Sequence, residues 1–211
     1  MTSEQQVEAA LKSYEDVDSW KTIIFLYNAA LKEVGTKLEI LNDEFQHVHQ
    51  YNPIEHIKTR IKTPESIVKK LRRYGHETSI ENMVRYVNDI AGIRISCSFT
   101  SDIYLIADMI SKQNDLTILA RRDYMKNPKK SGYRSYHMLV TTPVFLSDSI
   151  IDTKVEIQIR TVAQDFWATL EHKMHYKFEG DGPDYITKEL RECARYVAEL
   201  DTRMEELNNE I

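Results

Sequence analysis

In the stretch VEIQIR, Glu156, Gln158 and Arg160 alternate with Val155, Ile157 and Ile159, so three polar side chains would share one face of a strand whose other face is apolar. On a central strand such a face lines a pocket; on an edge strand it is merely solvated. Glu156 is the carboxylate of that row. A second one, Asp89, stands just before AGIRIS, at the entrance to another expected strand. Two carboxylates brought together across a sheet would suit Mg²⁺, a hard cation that takes oxygen ligands and substrate phosphates. Taken singly, Asp89 reads equally well as a capping residue and Glu156 as the partner of an arginine.

The nonapeptide KKSGYRSYH, Lys129 to His137, mixes cations with aromatic rings. If it is a strand, Tyr133, Ser135 and His137 share one face and Arg134 and Tyr136 the other. A tyrosine ring is a platform on which a base can stack, worth roughly 1–3 kcal/mol. Gly132 reads as a point where a ligand comes close, and Lys129, Lys130 and His137 as groups that could meet phosphates. Arg60 and Arg94, on separate expected strands, have guanidinium planes able to stack on the two faces of an adenine ring. Lys62, Ser66, Lys70 and Arg73 would then surround a polyphosphate, Lys70 and Arg73 sharing a helix side by their spacing of three. Core packing and solvated faces compete as explanations for each of these taken alone. His172 and His175 form an HxxH without a third ligand, which reads as helix packing rather than a zinc site.

The elements that must position these residues follow from periodicity. Ile23, Leu31, Val34, Leu38 and Phe45 recur at helical spacing behind a Ser19 cap, and Asn52-Pro53 ends that helix. EHIKTRIK alternates as a strand. Thr63-Pro64 opens a helix that Gly75 closes, and a second helix runs from Ile80 to Val87. A strand from Ile90 to Phe99, a helix from Ser101 to Lys112, and strands in LTILARRDY, YRSYHMLVTTPVF and TKVEIQIRT come next. Helices over Val162–Tyr176 and Asp184–Ile211 flank a loop at Gly180 and Gly182. Five strands among helices predict one α/β (α+β) sheet domain flanked by helical ends.

The 211 residues, 42% apolar and 29% charged, suit a globular protein and exclude neither enzyme nor binding module. The net charge of −5 conceals a division: 16 Lys/Arg face 9 Asp/Glu between Ile54 and His137, against 12 and 24 elsewhere. A basic centre calls for anionic ligands, and acidic ends argue against a chain coating long nucleic acid. No secretory leader and no membrane span is expected, and the two cysteines lack a CxxC spacing, so a reducing cytoplasm is the expected compartment. Neither a Walker loop nor GxGxxG occurs.

RIKTPESIVKKLRR, DIAGIRI, RRDYMKNPKKSGYRSYH and VEIQIRTVAQDFWATLEHKMHYK, in that order, resemble the small alarmone synthetases, single-domain members of the RelA/SpoT family, and among them the RelP type. The resemblance implies a nucleotidyltransferase-like fold, a mixed five-stranded sheet with helices on both sides, and divides the chain into a helical region 1–51, a catalytic domain 52–177 and a C-terminal helix 178–211. It implies a GTP diphosphokinase, which moves the β,γ-diphosphate of ATP to the 3′-hydroxyl of GDP or GTP, giving ppGpp or pppGpp and AMP. It implies Mg²⁺ as cofactor and a homotetramer built through the terminal helices. Arg60 and Arg94 match the arginines that sandwich adenine, and Lys62, Ser66, Lys70, Arg73 and Arg122 match positions around the ATP phosphates. Asp89 matches the metal ligand, and Glu156 the carboxylate that activates the 3′-hydroxyl and shares the metal. Tyr133 matches the guanine-stacking tyrosine, with Lys129, Arg134 and His137 near the acceptor phosphates. Strict alternation would turn Arg134 away from Tyr133. None of the seven histidines is followed by aspartate, so the His-Asp dyad of the family's hydrolase domain is not expected. A nucleotidyltransferase of another kind would carry a Gly-Ser turn followed by a DxD pair, and that arrangement is absent. A noncatalytic guanine-nucleotide or RNA-binding module would use the same stacking face but leaves both carboxylates unexplained.

Relatives carry asparagine or aspartate at Asp165. A carboxylate there would accept from N1–H and the 2-amino group of guanine, with Gln158 nearby. Asp165→Ala is expected to erode the preference for a guanosine over an inosine acceptor by roughly tenfold, the worth of one charged hydrogen bond, in competition kinetics with GTP and ITP.

Overall fold

Alternation and helical spacing produce the elements they promise. The computed structural model describes residues 20–177 and 184–210. In chain order these are α1 (Trp20–His49), β1 (His56–Ile61), α2 (Pro64–Arg73), α3 (Ile80–Tyr86), β2 (Ala91–Cys97), α4 (Thr100–Ser111), β3 (Thr117–Asp123), β4 (Tyr136–Phe145), β5 (Ile150–Thr161), α5 (Val162–Lys177) and α6 (Asp184–Asn208). The strands form one sheet in the order β1-β2-β5-β4-β3. Only β2 and β5 run parallel, which makes the sheet mixed and the fold α+β.

β5 is therefore central, and the pocket-lining alternative for VEIQIR is the one realised. Val155, Ile157 and Ile159 are fully buried, packed in a single core with Ile93 and Ile95 of β2 and with Ile23, Leu26, Ala30, Val34 and Leu38 of α1. Ile67 and Leu71 of α2 and Met83 and Val84 of α3 join the same core. Thr63 caps α2 by accepting from the Ser66 amide at 3.3 Å, Pro64 follows it, and Gly75 sits at φ +76°, where a side chain would be strained. The Ser19 cap, the loop at Gly180 and Gly182, and the side chain of His175 lie outside the described residues; His172 is exposed.

One strand starts later than alternation predicts. β4 begins at Tyr136, so Tyr133, Arg134 and Ser135 precede the ladder. Their backbone is satisfied elsewhere: the Lys129 amide donates to the Tyr133 carbonyl at 3.1 Å and the Tyr124 amide to the Ser135 carbonyl at 3.0 Å. The alternation argument for that row does not apply.

At the other end, Asp201 of α6 is buried and accepts from the Thr161 hydroxyl at 3.0 Å and the Gln164 amide at 2.8 Å. This ties the last helix to the start of α5. No helix among the described residues is long and apolar enough to cross a membrane.

Candidate active site

Strand register lays the polar residues out in rows. Arg122, His137, Gln158, Arg94 and Lys58 align across β3, β4, β5, β2 and β1. One step along β5, Leu139, Glu156, Gly92 and Arg60 align in the same way. Gly92 removes the side chain between Glu156 and Arg60. The result is a cavity of about 260 Å³ whose lining includes Arg60, Arg94, Asp89, Gly92, Glu156 and Gln158. The two arginines expected to clamp a ring and the two carboxylates expected to meet a metal thus share one space.

Glu156 is held from both sides. Its Oε2 accepts from Gln158 Nε2 at 2.8 Å, and its Oε1 faces His137 Nδ1 at 3.5 Å. Gln158 Oε1 in turn accepts from Arg160 at 2.7 Å. Burial pushes the Glu156 carboxyl upward, but His137 and Gln158 outweigh it and leave the group below its ordinary value. Asp89 follows the same logic. Burial raises it, and Lys70 at 2.8 Å and Lys62 at 2.9 Å bring it below the usual range. Both carboxylates are therefore ionised at neutral pH. The stability they contribute is present above their ordinary pKa and lost as pH falls through the lowered values.

The aromatic flank joins this network through His137, whose Nε2 lies 2.9 Å from the Tyr133 hydroxyl. Lys129 Nζ is 4.7 Å from the centroid of the Tyr133 ring and Arg160 5.3 Å from it, and Tyr124 meets both Tyr133 and His137 edge-on. Arg122 lines a smaller recess beside His137 and Glu156. Asp165 sits in the first turn of α5, nearly buried, with Arg94 at 3.3 Å, Arg160 at 3.8 Å and Lys58 at 3.9 Å. Lys58 faces its Oδ2, and Oδ1 has the two arginines as ionic neighbours but no hydrogen bond.

Of the expected residues, Arg60, Asp89, Arg94, Glu156 and Gln158 line the cavity, whereas Arg134, Arg73 and Ser66 join neither it nor the groups linked to it. Arg134 turns away and donates to the Met125 carbonyl at 2.6 Å, because it precedes the strand and points to the 123–126 turn. Arg73 lies against the Tyr74 ring at 5.2 Å, and the Ser66 hydroxyl bonds Thr63 at the start of α2. Gly132 also needs a different account from ligand approach. It has φ +92°, and a Cβ there would fall 2.5 Å from the Cβ of Ala194 on α6.

The sequence reading passed over Lys154, Gly92 and Tyr124. Lys154 is 2% exposed and donates to the Val84 carbonyl at 2.8 Å, the Arg85 carbonyl at 3.3 Å and Asn88 Oδ1 at 3.0 Å. Burial pushes its ammonium down to about 8. It fastens the segment that ends in Asp89 to β5, two residues from Glu156. The same alternation that singled out Glu156 puts Lys154 in its row, and that signal was available.

Residues 59–181 match the model of the region found in RelA / SpoT proteins. The GTP pyrophosphokinase YwaC of Bacillus subtilis (strain 168) is 44% identical over 195 residues, covering 92% of this chain and 93% of that protein. The crystal structure of the small alarmone synthetase 2 from Bacillus subtilis superposes with a TM-score of 0.84 at 42% identity, over 92% of this chain and all of that one. The small alarmone synthetase 1 from the same organism, bound to its product pppGpp, gives a TM-score of 0.85 at 34% identity, over 91% and 97% of the two chains.

Gly92 offers the sharpest test of the cavity. A Cβ there meets only the Arg60 carbonyl oxygen, at 3.8 Å, so Gly92→Ala should leave the fold and ligand affinity nearly unchanged. Gly92→Val fills the space between Arg60 and Glu156 and should weaken binding of a non-hydrolysable ATP analogue by roughly tenfold or more, read by calorimetry.

Proposed function

The chain belongs to the RelA/SpoT family, and from that premise we propose that it is a GTP pyrophosphokinase, transferring the β,γ-diphosphate of ATP to the 3′-hydroxyl of GDP or GTP. The observation that carries this reading is the ionised Glu156, fixed between His137 and Gln158 and facing the cavity that holds Arg60, Arg94 and Asp89.

A ribose hydroxyl is a poor nucleophile at neutral pH. Glu156 accepts its proton, a contribution of typically 10²- to 10⁴-fold. The 3′-oxygen then bonds to the β-phosphorus of ATP, the bond from that phosphorus to the α,β-bridging oxygen breaks, and AMP leaves with the electron pair. Positioning and charge neutralisation do most of the work in such transfers. Arg60 and Arg94 hold the adenine, and Lys62 and Lys70 bring two ammonium groups to the phosphates. Arg122 adds a third cation from β3. On the acceptor side the guanine lies on Tyr133, with His137 toward the acceptor phosphates. Arg160 is buried and fixed, whereas Lys129 is exposed, so Lys129 is the cation a base displaces from the ring face. Asp165, beside the Arg160 that lies near the Tyr133 ring, reads the guanine edge.

Asp89 and Glu156 offer hard carboxylate oxygens to one cavity, beside the space for the phosphates, and this donor set fits Mg²⁺. These two residues would hold the ion, which when bound neutralises charge on the transferring diphosphate. Before that, Lys62 and Lys70 keep the Asp89 carboxylate satisfied.

The same reading takes residues 52–177 as the catalytic region and the terminal helices as contacts for a homotetramer. The exposed stripe of Tyr196, Leu200, Met204 and Leu207 on α6 supports the second. The cytoplasm is the proposed compartment, consistent with two free cysteines.

The decisive assay mixes the protein with Mg²⁺, GDP and ATP labelled in the β- and γ-phosphates. Label should appear in a guanosine product with one AMP released per transfer. Release of ADP and inorganic phosphate, or no turnover, would refute the assignment.

A further inference from the structure

The face of α6 that carries Ala194 is pressed against the loop that ends in Tyr133. The loop is a closed turn: the Gly132 amide donates to the Lys129 carbonyl at 2.9 Å, and the Lys129 amide to the Tyr133 carbonyl at 3.1 Å. Gly132 lies so near α6 that any Cβ would overlap that of Ala194. Ala194 is 3% exposed and belongs to a small apolar cluster with Trp167 and Ala168 of α5, against which Tyr133 and Val197 pack. Three hydrogen bonds seat α6: Trp167 Nε1 donates to the Leu190 carbonyl at 2.8 Å, and Asp201 accepts from Thr161 and Gln164.

Tyr133 is thus fixed from two directions. His137 holds its hydroxyl from the sheet, and α6 holds its ring and its loop from behind. The adenine side is built otherwise, from β1 and β2 beside Glu156 and Gln158 of β5, whereas α6 packs chiefly on α5 and α4.

We propose that Ala194 is a positioning residue for the acceptor site: through Gly132 it sets the place of Tyr133, so the docking of α6 governs acceptor affinity independently of ATP. The proposal rests on the reading of Tyr133 as the guanine platform. A residue larger than alanine at 194 has no room beside Gly132, and the loop must move because α6 is anchored at both Leu190 and Asp201. The adenine wall reaches α5 through Arg94 and Lys58 at Asp165, not through the loop at Gly132. An event that shifts α6, including a change at its exposed outer face, would therefore tune one substrate and spare the other.

The test compares Ala194→Val with the unaltered full-length chain. The Michaelis constant for GDP should rise roughly tenfold while that for ATP stays within about twofold, as expected when overpacking displaces one side of a two-substrate site. Hydrogen exchange at the Gly132 amide should quicken in the same protein. A GDP constant that stays put in a folded variant, or constants for both substrates that rise together, would overturn the proposal. If Ala194→Val does not fold, Val197→Ala removes packing behind Tyr133 without adding bulk. It should raise the GDP constant alone, by roughly threefold, and an unchanged constant counts against the coupling. Tyr133→Ala separates the two ideas. If it leaves the GDP constant unchanged, the platform reading fails, and the coupling then stands or falls on Gly132 exchange in Ala194→Val.

Discussion

A polar row on the central strand of a buried sheet must satisfy itself, and much of this site follows from that requirement. Glu156, Gln158 and Arg160 cannot reach water freely from the middle of β5, so each finds its partner in the next: Arg160 donates to Gln158, and Gln158 donates to Glu156. His137 on β4 and the Tyr133 hydroxyl extend the chain, and the Arg160 guanidinium beside the Tyr133 ring closes it into a loop. A carboxylate fixed in such a network has its lone pairs aimed before any substrate arrives. This is what a general base for an unreactive hydroxyl needs. The opposite face of the same strand, Val155, Ile157 and Ile159, is the floor of the core. The candidate site and the core thus occupy two faces of one strand.

Around that strand the charges are organised as a counterpoise. Lys62 and Lys70 converge on Asp89, and Arg94 and Arg160 stand near Asp165. The lysines on Asp89 are cations that a polyphosphate could recruit, so binding there would exchange one set of ion pairs for another and not expose bare charge. Lys154 plays a quieter part. Three oxygen acceptors hold its buried ammonium and lock the end of α3 and Asn88 to β5, which keeps Asp89 across the cavity from Glu156. Burial of this cation is the cost of a rigid spacing between two carboxylates.

Much of this was legible in the residues because it depends on local rules. Alternation exposed the Glu156 row, and Thr63-Pro64 and Gly75 bracketed α2. The meeting of Arg60 with Arg94 needed only that β1 and β2 be neighbours, which their register supplies. What failed was reasoning about segments whose form depends on distant partners. Tyr133 lies outside β4, yet reaches His137 by the length of its side chain; Arg134 is captured by the Met125 carbonyl. Gly132 is glycine because a helix sixty residues further along lies against it, as the contact with Ala194 shows. No local pattern announces that contact.

The account turns on Glu156 as the proton acceptor, and Glu156→Gln addresses it most directly, since the amide keeps the shape and loses the basicity. Single-turnover transfer should fall by at least about 100-fold, with the affinities for GDP and for a non-hydrolysable ATP analogue held within about threefold. A transfer rate within tenfold of the unaltered protein, or a loss of rate matched by loss of nucleotide binding, would contradict the central claim.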